Sequence, residues 1–309
     1  MLEHRRTQAK VMLRETVDTH AWHAQYHGHP VKALDIVERG LRQQDKDCIF
    51  FAGDSSLDNK YWFEDRGRAA NGYEHILSPP ESKLDVAYHT NKILEARSPR
   101  WACVNTAVEA TSLNDRAFGR LLEQDRFLRD RLTERDAVVI SIGGNDIALA
   151  PLLCTCCNVA PLLCVGALCG DAIDHCACAC PPDVYTPCSG ATDCGCACCG
   201  LPGCLVGLCG FPFGLGYFVD LFGNRVRSYT SNLVAKKKPK VVVICMIYYL
   251  DVRGRGSWAD ATLQLLGYNA APKVLQRAIR HVYRYGTKRI RLDGVTVVAL
   301  PLFEVLDGR

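Results

Sequence analysis

Five short apolar runs constrain this chain more than any other feature, because each has strand length and most stop at Gly, Asn or another turn signal. They are Cys48–Gly53, Trp101–Asn105, Ala137–Ile142, Val241–Ile247 and Val295–Leu300. Runs this apolar, with little alternation, suit strands buried on both faces, the condition of a parallel sheet. Parallel neighbours need crossover connections, and helical periodicity is present between the runs. Apolar residues recur at helical spacing among charges in Leu113–Glu134 and again in Ala271–Tyr285. Pro272 suits the first turn of that second helix and Gly286 its end. The expectation is an α/β fold on a five-stranded parallel sheet between helices.

The 309 residues are 48% hydrophobic and 23% charged, close to globular averages, which excludes a wholly disordered or fibrous chain. The net charge of +4 comes without a basic stripe or recognition motif, so no nucleic-acid partner is expected. Met1–His29 is interrupted throughout by charge and histidine and has no secretory-signal pattern. No run reaches the roughly 18 apolar residues of a membrane-spanning helix. The chain therefore reads as soluble, with compartment and oligomeric state left open. His20, His23, His27 and His29 are expected in a solvated, flexible segment rather than a metal site.

The cysteines follow a different rule from the rest. Of 18, 15 lie between Cys154 and Cys209, in a stretch from about Pro151 to Gly216 that contains no Lys, Arg or Glu. Cys154–Gly170 and Cys196–Gly210 share C-x-C-C followed by C-x4-C-G, a duplication too short to build a solenoid alone. The stretch enters after the third strand and leaves near Phe218, so it reads as an irregular insertion into one sheet domain. Three roles stand open for it. A disulfide-stapled lid requires an oxidising compartment. A Zn²⁺ or Cu⁺ cluster would draw on Cys176, Cys178, Cys196, Cys198, Cys199 and His175. The apolar segments PLLCVGALCG and LPGCLVGLCGFPFGLG would suit peripheral contact with a membrane or an acyl chain.

Two strand ends carry the chemistry. Ile49–Asn59, IFFAGDSSLDN, runs from an apolar strand into Gly53-Asp54-Ser55, which exposes a hydroxyl in the crevice where open α/β sheets bind ligands. Neighbouring backbone N–H groups and a helix dipole stabilise an oxyanion there, although a plain N-cap role for Ser55 or Ser56 fits the same stretch. Val138–Leu149, VVISIGGNDIAL, ends a second strand in Gly143-Gly144-Asn145-Asp146, where glycine permits close approach and an Asn amide donates a hydrogen bond.

Together and in this order, GDS and GGND resemble the first and third blocks of the GDSL or SGNH hydrolase family. The resemblance covers about 105 residues before the insertion and about 90 after it. It implies a three-layer α/β/α, flavodoxin-like domain over residues 46–150 and 217–309, after a helical or flexible segment 1–45, with 151–216 inserted. It implies a serine esterase or lipase with Ser55 as nucleophile, Gly53 and Asp54 in its loop, and Asn145 beside Gly144 as oxyanion donor. Ala110, in NTAVEATSL, stands nearest the place where the family has a donor Gly. The substrate implied is an acyl ester or lipid, with no cofactor. The family's base is a His three residues after an Asp. If Asp307 is that Asp, the His falls one residue past Arg309, so a base cut away with the C-terminus is expected; the alternatives are a non-catalytic relative, a binding module whose Cys-rich loop holds metal, lipid or a protein partner, and a base recruited from elsewhere, such as His175. Tyr61, Trp62 and Phe63 are expected to pack in the core, with lining of an acyl pocket as the alternative, and Tyr248 and Tyr249 are candidate substrate contacts by position.

Overall fold

The computed structural model describes residues 15–148, 152–169, 172–179, 210–249, 252 and 272–306. The five apolar runs become β1 (Asp47–Gly53), β2 (Trp101–Asn105), β3 (Ala137–Ser141), β4 (Val241–Met246) and β5 (Val297–Pro301), all parallel in one sheet of order β5-β4-β3-β1-β2. Phe50 stands level with Val104 on one side and Val138 on the other.

Successive side chains along a strand point to opposite faces, which splits the apolar runs into two cores. Phe50, Ala52, Val138, Ile140, Val242 and Ile244 belong to the larger one. Phe51 and Cys103 pack on the other face with Ile49, Val139 and three residues of a helix, Val86, Ala87 and Leu94.

The helices are α1 (Thr19–Ala24), α2 (Val31–Arg42), α3 (Val86–Arg97), α4 (Glu123–Arg131), α5 (Gly144–Ala148), α6 (Leu152–Cys169), α7 (Ala172–Cys176), α8 (Leu215–Val219), α9 (Val226–Leu233) and α10 (Pro272–Tyr285). A π-helical stretch, Asp220–Arg225, joins α8 to α9. On α2, Leu34, Val37 and Leu41 repeat at helical spacing and are fully buried. Arg42 grips both oxygens of Asp136 at 2.7 Å, and Asp136 also accepts the backbone N–H of Cys48, tying the starts of β1 and β3.

Three expectations change. Residues 15–45 are part of the core rather than a separate segment: Val17, Trp22 and Leu41 are buried, and so are His23 and His29. His29 stacks on Trp22 at 3.5 Å and pairs with its carbonyl, while His23 accepts from Lys83 N–H. Flat, partly apolar imidazoles suit such a site when held neutral, and burial drives His23 down to about 3, with Arg66 and Lys83 adding to it. The helix expected over 113–134 is broken, because Phe118 and Gly119, at the end of a 3₁₀ segment that precedes α4, adopt positive φ of 56° and 75°. The insertion is not wholly irregular either. Its first part is the 18-residue α6, and Cys178–Ala179 pairs antiparallel with Gly210–Phe211. Cysteine away from metal or a disulfide behaves as a small hydrophobe, so a run of Leu, Ala, Val and Cys satisfies a helix. Among the described residues, no helix is long and apolar enough to cross a membrane.

Candidate active site

The chain leaves β1 for β2 on one side and returns to β3 on the other, so a topological switch point opens above the ends of β1 and β3. Two glycines allow the strand ends to meet there. Gly53 has φ of 136°, and a Cβ on it would lie 1.8 Å from Ser141 O; the Asp54 N–H then donates to that carbonyl at 3.1 Å. Gly143 has φ of 112°, and its Cβ would meet the Phe222 ring at 2.7 Å. Gly144, by contrast, faces open space.

The two serines separate clearly. Ser56 is engaged: its N–H and hydroxyl both donate to Asp54 Oδ1, at 3.0 and 2.8 Å, and its hydroxyl lies 2.7 Å from that of Ser141. Ser55 is half-buried and lines the cavity, and among the described residues nothing hydrogen-bonds its hydroxyl. Asn145, 3% exposed, lines the same cavity, with Nδ2 donating one hydrogen to Thr111 O at 2.8 Å and keeping the second.

Buried charge fixes the loop after β2 against these ends. Arg116 donates to Asp125 at 2.8 Å, to Thr111 and the Ser112 carbonyl at 3.0 Å each, and to the Gly53 carbonyl at 3.2 Å. Asp146 accepts from the N–H groups of Leu113 and Asn114 and pairs with Arg225. Asp58 accepts from the N–H groups of Gly28 and Glu109 at 2.8 Å and from Lys60 Nζ at 2.5 Å. Within this loop Ala110 holds φ of 57°, the left-handed conformation that glycine adopts freely. Glu109 accepts from Trp62 Nε1 at 3.0 Å through one oxygen, while its other oxygen is buried without a partner, as is Asp54 Oδ2. Burial raises the Asp54 carboxyl to about 6 despite the Ser56 bonds, and burial likewise raises Glu109 against the Trp62 bond.

Above the strand ends lies a cavity of about 700 Å³. Asp54, Ser55, Asn145 and Glu109 give it a polar floor, and Phe218, Phe222, Met246 and α10 give it an apolar wall. Tyr248 lines it, and burial, with a smaller contribution from Asp54, raises its phenol. Tyr249 does not: its ring stacks on Phe303 at 5.3 Å and its hydroxyl accepts from Arg280. Nor do Tyr61, Trp62 and Phe63 enter the core. They are 49%, 57% and 39% exposed, and Trp62 and Phe63 form part of the cavity lining.

Among the described residues no histidine lines the cavity. His281, on α10, is buried, and its Nε2 lies 3.0 Å from Asp174. His175 is exposed and off the cavity. Asp307 falls outside the described residues, but Leu306 before it lines the cavity and its carbonyl accepts from Tyr249 N–H, so the chain after β5 returns to the site. Cys157, Cys164, Cys176 and Cys178 are exposed free thiols; Cys196, Cys198 and Cys199 lie outside the described residues. Among the described residues no group of His, Cys, Asp and Glu is arranged to hold a metal ion.

Arg116 and Glu109 were not singled out by sequence reasoning. Glu109 left a trace, as a lone acid within the apolar loop NTAVEATSL; Arg116 sits in an unremarkable charged stretch. No protein-family model matches the chain, and neither a curated protein nor a solved structure matches it.

Proposed function

We propose that this chain is a serine ester hydrolase of the GDSL or SGNH type, a three-layer α/β/α domain carrying a Cys-rich insertion. The observation that carries the reading is the unengaged Ser55 hydroxyl, placed at the switch point beside Asn145 and opening into a largely apolar cavity. In the reaction Ser55 Oγ forms a bond to the acyl carbon and the carbonyl π electrons move onto its oxygen. Asn145 Nδ2 and backbone N–H groups, that of Ser55 and one near Ala110, stabilise this oxyanion. The Ser55 proton passes through a base to the departing alkoxide as the ester C–O bond breaks, and water then releases the acid. The base acts from the cavity mouth, where the chain returns through Leu306 towards Asp307. The substrate is an acyl ester or lipid, and the reaction needs no cofactor.

A second reading has one observation in its favour, the lack of a histidine among the described residues lining the cavity. On it, the same cavity binds an apolar ligand without turnover. Hydrolysis of p-nitrophenyl butyrate with and without free imidazole separates the two. The hydrolase reading expects turnover that imidazole increases, because a small base substitutes for a positioned one, and that Ser55→Ala abolishes. Rates equal in both proteins at every imidazole concentration leave the binding module as the better account.

A further inference from the structure

The apolar half of the cavity is built mainly outside the sheet, whose strands contribute Met246 at the end of β4. Its wall on one side is α10, where Leu275, Ala278, Ile279 and Val282 repeat at the spacing of one helical face and all line the cavity. Its roof is the Cys-rich insertion: Val159 and Leu162 of α6 line the same space. The opposite face of α10 holds the insertion in place. Arg277 and His281, one turn apart, both meet Asp174 of α7, at 3.2 and 3.0 Å. The Tyr285 hydroxyl donates to Ala177 O at 2.6 Å. At the other end, Gly214 presses so closely on α6 that a Cβ there would stand 2.0 Å from Asn158 O. The segment at α7 is thus docked on α10, and the two ends of the insertion are packed against each other.

Polar groups are confined to the Ser55 end. Beyond Asn145 and Tyr248, the lining contributed by α6, α8 and α10 is aliphatic or aromatic, and Leu306 after β5 adds a further aliphatic side chain. Such a space has hydrogen bonds for a carbonyl at one end and none for the remainder of the ligand. That pattern fits an unbranched hydrocarbon chain and penalises acyl groups carrying hydroxyls or charges, whose polar atoms would be desolvated without partners.

We infer that the acyl group taken by this site is a long unbranched chain lying between α10 and α6, and that the insertion, rather than the sheet, sets its length. The inference rests on the Ser55 reading for its chemistry but not for its geometry, so it is tested on protein that cannot react. Binding of methyl butyrate, octanoate and laurate to the Ser55→Ala protein is measured by calorimetry. Affinity rises about fourfold per added methylene until the cavity is full, with a negative heat-capacity change. Ala278→Trp fills the cavity and flattens the series at octanoate, with more than tenfold loss for laurate. Ile279→Ala enlarges it and favours laurate. Circular dichroism checks that each variant is folded, and if Ala278→Trp is not, Ile279→Ala and Leu162→Trp carry the test. Affinity that is independent of chain length, or a laurate affinity untouched by Ile279→Ala and by either Trp variant, overturns the inference. Failure of the hydrolase reading shows elsewhere, as ester turnover indifferent to Ser55→Ala.

Discussion

The two halves of the cavity are built on opposite plans. On the β1 and β2 side, a dense buried network holds the loops: one guanidinium, Arg116, serves four acceptors, and Asp58 and Asp146 each accept several donors in full burial, leaving Ser55 and one oxygen each of Asp54 and Glu109 unengaged among the described residues. On the β4 and α10 side there are almost no hydrogen bonds into the cavity, and helices stand apart around open volume. The contrast teaches a division of labour. Fixed dipoles hold atoms to the tolerance that the proposed acyl transfer needs, whereas an apolar wall needs only shape and area.

Substitutions sharpen the contrast most where backbone meets backbone. Gly53→Ala places a Cβ on Ser141 O and is expected to cost more than about 4 kcal/mol, read as loss of the cooperative thermal transition. Gly144→Ala, one strand away and facing open space, is expected to leave Tm nearly unchanged. Next comes Arg116→Met, which strands Asp125 in the interior and costs about 3–5 kcal/mol in urea unfolding. Its counterpart in the apolar half, Ile279→Ala, is expected to cost only about 1 kcal/mol, below the usual range of about 2–5 kcal/mol for such truncations, because the side chain faces a space rather than a packed neighbour.

On the proposed mechanism, Asn145→Ala acts chiefly on the reaction, with the loss of its bond to Thr111 O as a smaller effect on the fold. It is expected to lower kcat by about 10²–10³, the usual effect of one oxyanion donor, with little change in KM. The buried carboxylates give a smaller, pH-dependent effect. Asp54, Asp85 and Asp220 are all pushed up to about 6, mainly by burial, so the folded chain binds more protons than the unfolded chain between about pH 4 and 6. Stability from these groups is full below their unfolded values and is lost as pH rises through about 6, by about 2–3 kcal/mol for Asp54 alone. Asp54→Asn therefore flattens the fall in Tm between pH 4 and 7; an unaltered pH profile contradicts this. A small effect of opposite sign is expected from Ala110→Gly, which relieves a positive φ and raises stability by about 1 kcal/mol.

The sheet was legible because parallel strands must be apolar on both faces and must stop at turn residues, and the apolar runs place all five, within two residues at either end. The strand-end motifs were legible for a related reason, since a crevice at the switch point demands Gly and small polar residues in sequence order. What sequence hid depends on distant partners. His23 and His29 read as solvated because nothing local says that Lys83 and Trp22 will meet them. Helix α6 read as irregular because clustered cysteines suggest reactivity before they suggest packing. The Tyr61–Trp62–Phe63 run has no intrinsic preference between core and rim, and the 3₁₀ turn at Lys60–Trp62, anchored by the buried Lys60–Asp58 pair, leaves it at the mouth of the cavity.

The central claim, that Ser55 is the acyl acceptor, is tested most directly by covalent capture. The chain is incubated with an alkyl fluorophosphonate in the presence of imidazole, weighed intact by mass spectrometry, then digested and its adduct mapped by fragmentation. A single phosphonyl group on Ser55, missing from the Ser55→Ala protein, is the predicted result. No adduct, or one that persists in Ser55→Ala on another residue, contradicts it.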